Sequence, residues 1–185
     1  MKMLIKSLMF IFIFSFVLTS CSSTKRKDEK YWTKLISWNE KIRRSILLQS
    51  DTSPDSVTTV KIDNNFIIVE QHYSKGHIFL SKTFMIDSLL LSESRYSNDG
   101  AFELRQYYCQ GKILISESIL YKGDVYGLVS NYYCPTSNIK EIGFRFKNTK
   151  YGIWKSYDSL GKEEVLDLKS YDLIDSLDNI TFEFQ

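Results

Sequence analysis

The chain has 185 residues, 43% of them hydrophobic and 25% charged, which suits one domain with a sizeable core. Its 24 basic and 22 acidic residues are nearly balanced, and this excludes the basic footprint of a nucleic-acid-binding protein. Twelve tyrosines, twelve phenylalanines and only two prolines favour strands.

The chain opens with a basic stretch, Lys2 and Lys6, and then an apolar run from Leu8 to Val17 in which nothing is more polar than Ser15. That run is too short to span a bilayer, which takes about 20 apolar residues. It ends in Leu18-Thr19-Ser20-Cys21 and resembles a bacterial lipoprotein signal, with two small residues before an obligatory cysteine. The resemblance implies cleavage before Cys21, acylation of that cysteine and a mature protein anchored in a membrane of the cell envelope, facing the periplasm or the outer surface. Several acyl chains together hold stably where one alone is marginal. Setting residues 1–20 aside leaves 165 residues with 22 charges of each sign.

Residues 21–30 are polar and charged and suit a solvated tether. At an anionic surface, each charge of Lys25-Arg26-Lys27 would add about 1 kcal/mol. Residues 31–95 are expected to form an N-terminal β segment. Within it, Tyr31 to Ser50 supports two readings. Leu35, Trp38, Ile42 and Ile46 share one helical face, so a short N-terminal helix is possible. Against this, Trp38-Asn39-Glu40-Lys41-Ile42 is similar to Tyr73-Ser74-Lys75-Gly76-His77-Ile78 and to Tyr108-Cys109-Gln110-Gly111-Lys112-Ile113. Those phrases suggest strand, tight turn, strand, and the likeness favours β structure over Leu35 to Gln49. Asp51 to Asp55 is a loop. Val57 to Ile62 and Phe66 to Gln71 suit strands joined by a hairpin at Asp63-Asn64-Asn65. Ile78 to Phe84 and Leu89 to Tyr96 continue the pattern, and Ser97-Asn98-Asp99-Gly100 is a turn.

From residue 96 to 170 the sequence repeats itself. Tyr121-Lys122-Gly123-Asp124-Val125-Tyr126-Gly127 returns as Phe146-Lys147-Asn148-Thr149-Lys150-Tyr151-Gly152, 25 residues later. Tyr132 and Tyr157 each follow their glycine by five residues. Tyr107-Tyr108-Cys109 matches Tyr132-Tyr133-Cys134, and Tyr96 precedes Tyr121 by the same step. A unit of this length holds two strands of 5–7 residues and two turns. Such hairpins bury an apolar face only by stacking on their neighbours. Residues 171–185 end in Ile180-Thr181-Phe182-Glu183-Phe184, an alternating run that suits a capping strand.

The copy Gly152-Ile153-Trp154-Lys155-Ser156-Tyr157, followed by Gly161-Lys162, resembles the repeat of the MORN-variant family, many of whose members are labelled YwqK-type antitoxins. Gly127 to Asn138 follows the same pattern with Val129 in place of the tryptophan and Pro135-Thr136 in the turn. Phe102 to Lys112 keeps Tyr107 and Gly111-Lys112. The resemblance implies an all-β fold, an antiparallel meander of stacked hairpins in an open sheet.

Equivalent positions one two-stranded unit apart lie about 9–10 Å from each other across a sheet. Bridged cysteines need Cα atoms within roughly 7 Å. Cys109 and Cys134 are therefore expected to be free thiols. His72 and His77 lack the further ligands a metal site needs, and Asp172, Asp175 and Asp178 lack the spacing of a calcium loop. Glu163 and Glu164 are adjacent, so on a strand they point to opposite faces. No nucleophile elbow or phosphate loop is present in the sequence. These patterns argue against an enzyme and imply no cofactor and no metal. The expectation is an envelope lipoprotein whose sheet binds or scaffolds another envelope protein or a glycan, with Trp154, Tyr132 and Tyr157 as aromatic anchors. The alternative is an antitoxin or immunity protein that neutralises a toxin. An uncapped sheet edge also allows a homodimer.

Overall fold

The computed structural model describes residues 29–49, 52–62 and 66–168. The expected signal segment, the expected lipidation site Cys21, most of the expected tether, the 63–65 hairpin, the acidic triplet and the expected capping strand lie outside the described residues. The chain divides into two units, Met1–Lys34 and Leu35–Gln185. In the first, residues 29–34 are helical, so helix already occupies the last two positions assigned to the tether.

The second unit begins with a helix, α1, over residues 35–49. Eleven strands follow: β1 (Ser56–Ile62), β2 (Ile67–Ser74), β3 (His77–Met85), β4 (Leu90–Tyr96), β5 (Phe102–Cys109), β6 (Ile113–Tyr121), β7 (Asp124–Val125), β8 (Gly127–Tyr132), β9 (Ile139–Phe146), β10 (Thr149–Tyr157) and β11 (Glu163–Asp167). They form one open antiparallel meander in which every strand but β7 pairs with its sequence neighbours along the path; the short β7 pairs with β6. The expectation of an all-β open meander holds, and the short N-terminal helix allowed beside it is present.

Local chemistry sets the turns. Ser74 pairs with His77, Tyr121 with Asp124 and Phe146 with Thr149, which leaves loops of two residues. Both residues of each loop have positive φ: Lys75-Gly76, Lys122-Gly123 and Lys147-Asn148. Such turns match the right-handed twist of the strands they join. The repeated aromatic phrase also acquires a purpose. Phe102, Tyr121, Tyr126, Phe146 and Tyr151 form a continuous ladder, with centroids 4.9, 5.7, 4.8 and 6.0 Å apart in turn. The 25-residue period therefore places ring upon ring, each contact adding about 0.5–1.5 kcal/mol beyond the area it buries.

The expectation of β structure over Leu35 to Gln49 is corrected. These residues are helical, and Leu35, Trp38, Ile42 and Ile46 are all buried. A strand–turn–strand over Trp38 to Ile42 would need a residue suited to positive φ, such as the glycine of the two phrases it resembles. Asn39-Glu40-Lys41 lacks that glycine, and the apolar period of Leu35, Trp38, Ile42 and Ile46 is the longer pattern, so the helix prevails. α1 lies on the face that buries Phe102, Leu104, Ile119 and Phe144. Trp38 meets Phe144 edge-on at 6.1 Å, and the Leu128 amide donates to Asn39 Oδ1 at 3.0 Å. Gly127 makes this approach possible. A Cβ there would lie 2.9 Å from Asn39 Oδ1 and 3.2 Å from the Trp38 ring, at a φ of 104°.

The expectation of free thiols is also corrected. Cys109 and Cys134 form a disulfide with their Cα atoms 6.3 Å apart. A separation of about 9–10 Å holds only where both residues sit in a continuous ladder. In fact β6 pairs with β8 through only Ser116↔Asn131 and Glu117↔Ser130. Cys109 is the last residue of β5, and Cys134 lies two residues beyond β8. At this end of the sheet the strands are not kept two full spacings apart.

Two stability measurements check this arrangement. In denaturant melts Ile46→Ala, at a fully buried position, should cost about 2–5 kcal/mol. Ile36→Ala, at a position 46% exposed, should stay within about 0.5 kcal/mol; equal effects would contradict the helix. Reduction, or the double change Cys109→Ser and Cys134→Ser, opens a loop with a sequence separation of 25 and should cost about 3.5 kcal/mol by loop-closure entropy. Labelling of Cys109 or Cys134 by a thiol reagent in the native, unreduced protein would contradict the bridge.

Candidate binding cleft

α1 covers only part of its sheet face, and where it stops the face changes character. Leu104 pairs with Ile119, and both are buried. Two residues along the same strands, on the same face, Gln106 pairs with Glu117 and Glu93 pairs with Gln106. The row continues through Lys82 to Glu70, so polar groups extend across five strands. On α1, Arg43 and Leu47 each follow a buried isoleucine and flank this row, and Leu48, 79% exposed, stands at the rim.

The result is a cleft of about 490 Å³ lined by Arg43, Leu47, Leu48, Glu93, Arg95, Gln106 and Tyr108. Ligand pockets commonly measure roughly 300–1,000 Å³. Its polar groups are held in place by one another. Arg95 Nε donates to Glu93 Oε1 at 2.8 Å, and Arg43 Nε lies 3.3 Å from Glu117 Oε1. Gln106 Nε2 donates to Glu117 Oε2 at 2.5 Å, and Tyr108 Oη donates to Gln106 Oε1 at 3.0 Å. That chain fixes which way the Gln106 amide points. Burial pushes the Tyr108 hydroxyl pKa upward, Glu93 and Glu117 add to the shift, and Arg95 partly opposes it. The phenol therefore stays protonated as a donor at neutral pH.

The opposite face has a second polar array. Glu103 accepts from Ser94 Oγ at 2.6 Å and takes Arg105 in a bidentate pair at 2.6 and 2.9 Å. Beside them Tyr107, 42% exposed, stands between the cross-strand residues Ser92 and Ser116.

The three aromatics singled out from the sequence do not converge on one surface. Trp154 is 2% exposed. Its ring lies flat on Gly143, where a Cβ would meet it at 2.2 Å, and Nε1 donates to the Phe144 carbonyl at 3.1 Å. Lys150 Nζ covers it, 4.0 Å from the ring centroid. It is a packing residue in this structure. Tyr157 lies three positions on, hence on the other face, and its hydroxyl donates to Glu163 Oε2 at 2.8 Å. Tyr132 is half-buried and pairs with Ile139. His72 lies 3.7 Å from Glu70, and His77 is exposed. Among the described residues no group of three or more His, Cys, Asp or Glu side chains is placed to hold a metal, and no helix is long and apolar enough to cross a membrane.

The cleft was hidden from sequence reasoning because half of its wall is α1. The signal that could have found it is the same apolar period. Once Leu35, Trp38, Ile42 and Ile46 point inward, Arg43 and Leu47 must lie on the flank.

No protein-family model matches the chain, and no curated protein does. Among solved structures it is similar to TarM of S. aureus, a mutant in complex with Fondaparinux, alpha-GlcNAc-glycerol and UDP. That match has a TM-score of 0.36 and 10% identity, over 70% of this chain and 22% of that one. A second TarM structure gives a TM-score of 0.35 and 12% identity, over 70% and 24%. The chain thus spans less than a quarter of either protein.

Titration of Tyr157 provides a local check. Burial, then the hydrogen bond to Glu163 and its charge, raise the tyrosine's pKa from 10 to about 12. The bond from Tyr157 in turn lowers the pKa of Glu163; burial opposes this and Lys155 assists it. A pKa raised in the folded state contributes stability that is present below the unfolded value and lost as pH rises through the folded one. Alkaline stability should therefore fall between about pH 10 and 12, and Tyr157→Phe should flatten that part of the curve. A Tyr157→Phe variant with an unchanged alkaline profile would show that the bond is absent in solution.

Proposed function

We propose that the chain is a lipid-anchored lipoprotein of the bacterial envelope whose sheet unit is a binding or scaffold module for an envelope protein or a glycan. The observation that carries this reading is the cleft between α1 and the sheet, a concave site whose ion pairs and amide are held in place by one another. Pre-organised groups lose little freedom on binding and so favour recognition. The Cys109–Cys134 disulfide supports the compartment, since such bonds persist where the surroundings are oxidising. The Leu18-Thr19-Ser20-Cys21 sequence supports the anchor. The likeness of Gly152 to Lys162 to the MORN-variant repeat favours a second reading, an antitoxin or immunity protein; an envelope-acting toxin would be its natural target.

Crosslinking in the protein's own cells tests both readings, with Cys21→Ala as the mislocalised control. One stoichiometric partner captured by the anchored form and lost with Cys21→Ala is the expected result. An envelope component as that partner supports the first reading, and a toxin supports the second. No partner, with the anchored protein still abundant, would overturn both.

A further inference from the structure

We propose that the cleft between α1 and strands β4 and β5 binds a neutral glycan, an inference that rests on reading the sheet unit as a binding module. The charge balance of the cleft is the first argument. Its two guanidiniums are each already matched to a carboxylate, Arg95 to Glu93 at 2.8 Å and Arg43 to Glu117 at 3.3 Å. An anionic ligand would compete with Glu93 or Glu117 for a guanidinium, and a cationic one with Arg43 or Arg95 for a carboxylate. Breaking one half of a partly buried pair leaves the other charge uncompensated. A ligand without net charge avoids that cost.

The second argument is the density of hydrogen-bonding groups. Within one cleft the chain presents two guanidiniums, a carboxylate, an amide and a phenol, held by the Arg43–Glu117–Gln106–Tyr108 chain of contacts. Neighbouring hydroxyls on a sugar ring are both donors and acceptors. They can therefore bridge a guanidinium and its carboxylate together, or meet the amide and the phenol, without disturbing either ion pair. The remaining wall is apolar: Leu47 and Leu48, together with the Tyr108 ring, suit the C–H faces of a pyranose. A ligand polar at its edges and apolar on its faces matches this lining better than an aliphatic one, which would leave the polar groups desolvated and unpaired.

The third argument separates a glycan from an extended peptide. Peptides that add to sheets use backbone groups at an exposed edge, and among the described residues the edges are β1 and β11. The cleft lies over β4 and β5, whose backbone groups are already paired on both sides. Only side chains are offered there, as a sugar requires.

The test uses the full-length chain in a non-glycosidic detergent, titrated with neutral tetramers (maltotetraose, cellotetraose and tetra-N-acetylchitotetraose). Tetragalacturonate and the chitosan tetramer are the anionic and cationic counterparts. Binding is read by ligand-observed NMR and by tyrosine fluorescence. Saturable binding of at least one neutral tetramer is expected, at least about tenfold tighter than either charged one. Gln106→Leu and Leu48→Ala should each weaken it about tenfold or more, whereas Val165→Ser on the far edge strand should not. Leu48 is largely exposed, so loss of binding in Leu48→Ala with an unchanged melting curve cannot be put down to unfolding. Preference for a charged tetramer, no binding of any neutral one, or binding insensitive to both cleft changes would overturn the proposal. A crosslinked protein partner whose capture is lost with Leu48→Ala, without any neutral tetramer binding, would overturn the glycan while leaving the binding module intact.

Discussion

The structure of the second unit depends on the docking of one helix on one face of the sheet. A meander of hairpins has two faces and no closure, so its apolar side must be covered by something outside the ladder. α1 provides the cover with four buried apolar side chains, each contributing about 1.5–3 kcal/mol on burial. The contact is also specific. Asn39 Oδ1 accepts the Leu128 amide, and that side chain fits only because residue 127 has no Cβ. A glycine that the repeat uses as a strand entry is thus also the place where the helix comes closest. The aromatic ladder ties β5, β6, β9 and β10 of the same sheet to one another.

How much of this was legible depends on the range of the interaction. The meander could be read because its turns are local: Lys75-Gly76 and Lys122-Gly123 specify hairpins from two residues each. The ladder could be read because the repeat displays its period. The rest lay in features that neither a turn nor the period displays. The helix is masked by the five-residue likeness at Trp38 to Ile42, although its apolar period runs over twelve residues from Leu35 to Ile46. Longer patterns average over more side chains and deserve the greater weight. Trp154 is not free to act as an anchor because its ring packs on Gly143 of the neighbouring strand β9, a contact set by the register of the hairpin. A glycine inside a strand often marks the close approach of another group, and here that group is the indole. The disulfide was missed because ideal spacing was applied at a sheet end, where pairing between β6 and β8 has shrunk to two residue pairs.

The two edges of the sheet are not equivalent, and this bears on what can pair with them. β11 carries Glu163, Glu164 and Asp167 over five exposed residues, so a second copy pairing there would bring like charges together across the ladder. β1, with the sequence SVTTVKI, has seven exposed residues and a single charge, Lys61. Natural edges are commonly guarded by charge, and by that measure β11 is guarded and β1 is not. Any strand added to this sheet would meet less resistance at β1. That edge lies on the opposite side of β4 and β5 from α1's docking strands β8 and β9. A partner pairing through backbone groups at β1 and a ligand held by side chains in the cleft would therefore occupy separate places. The open meander permits this where a closed barrel, having no edge, would not.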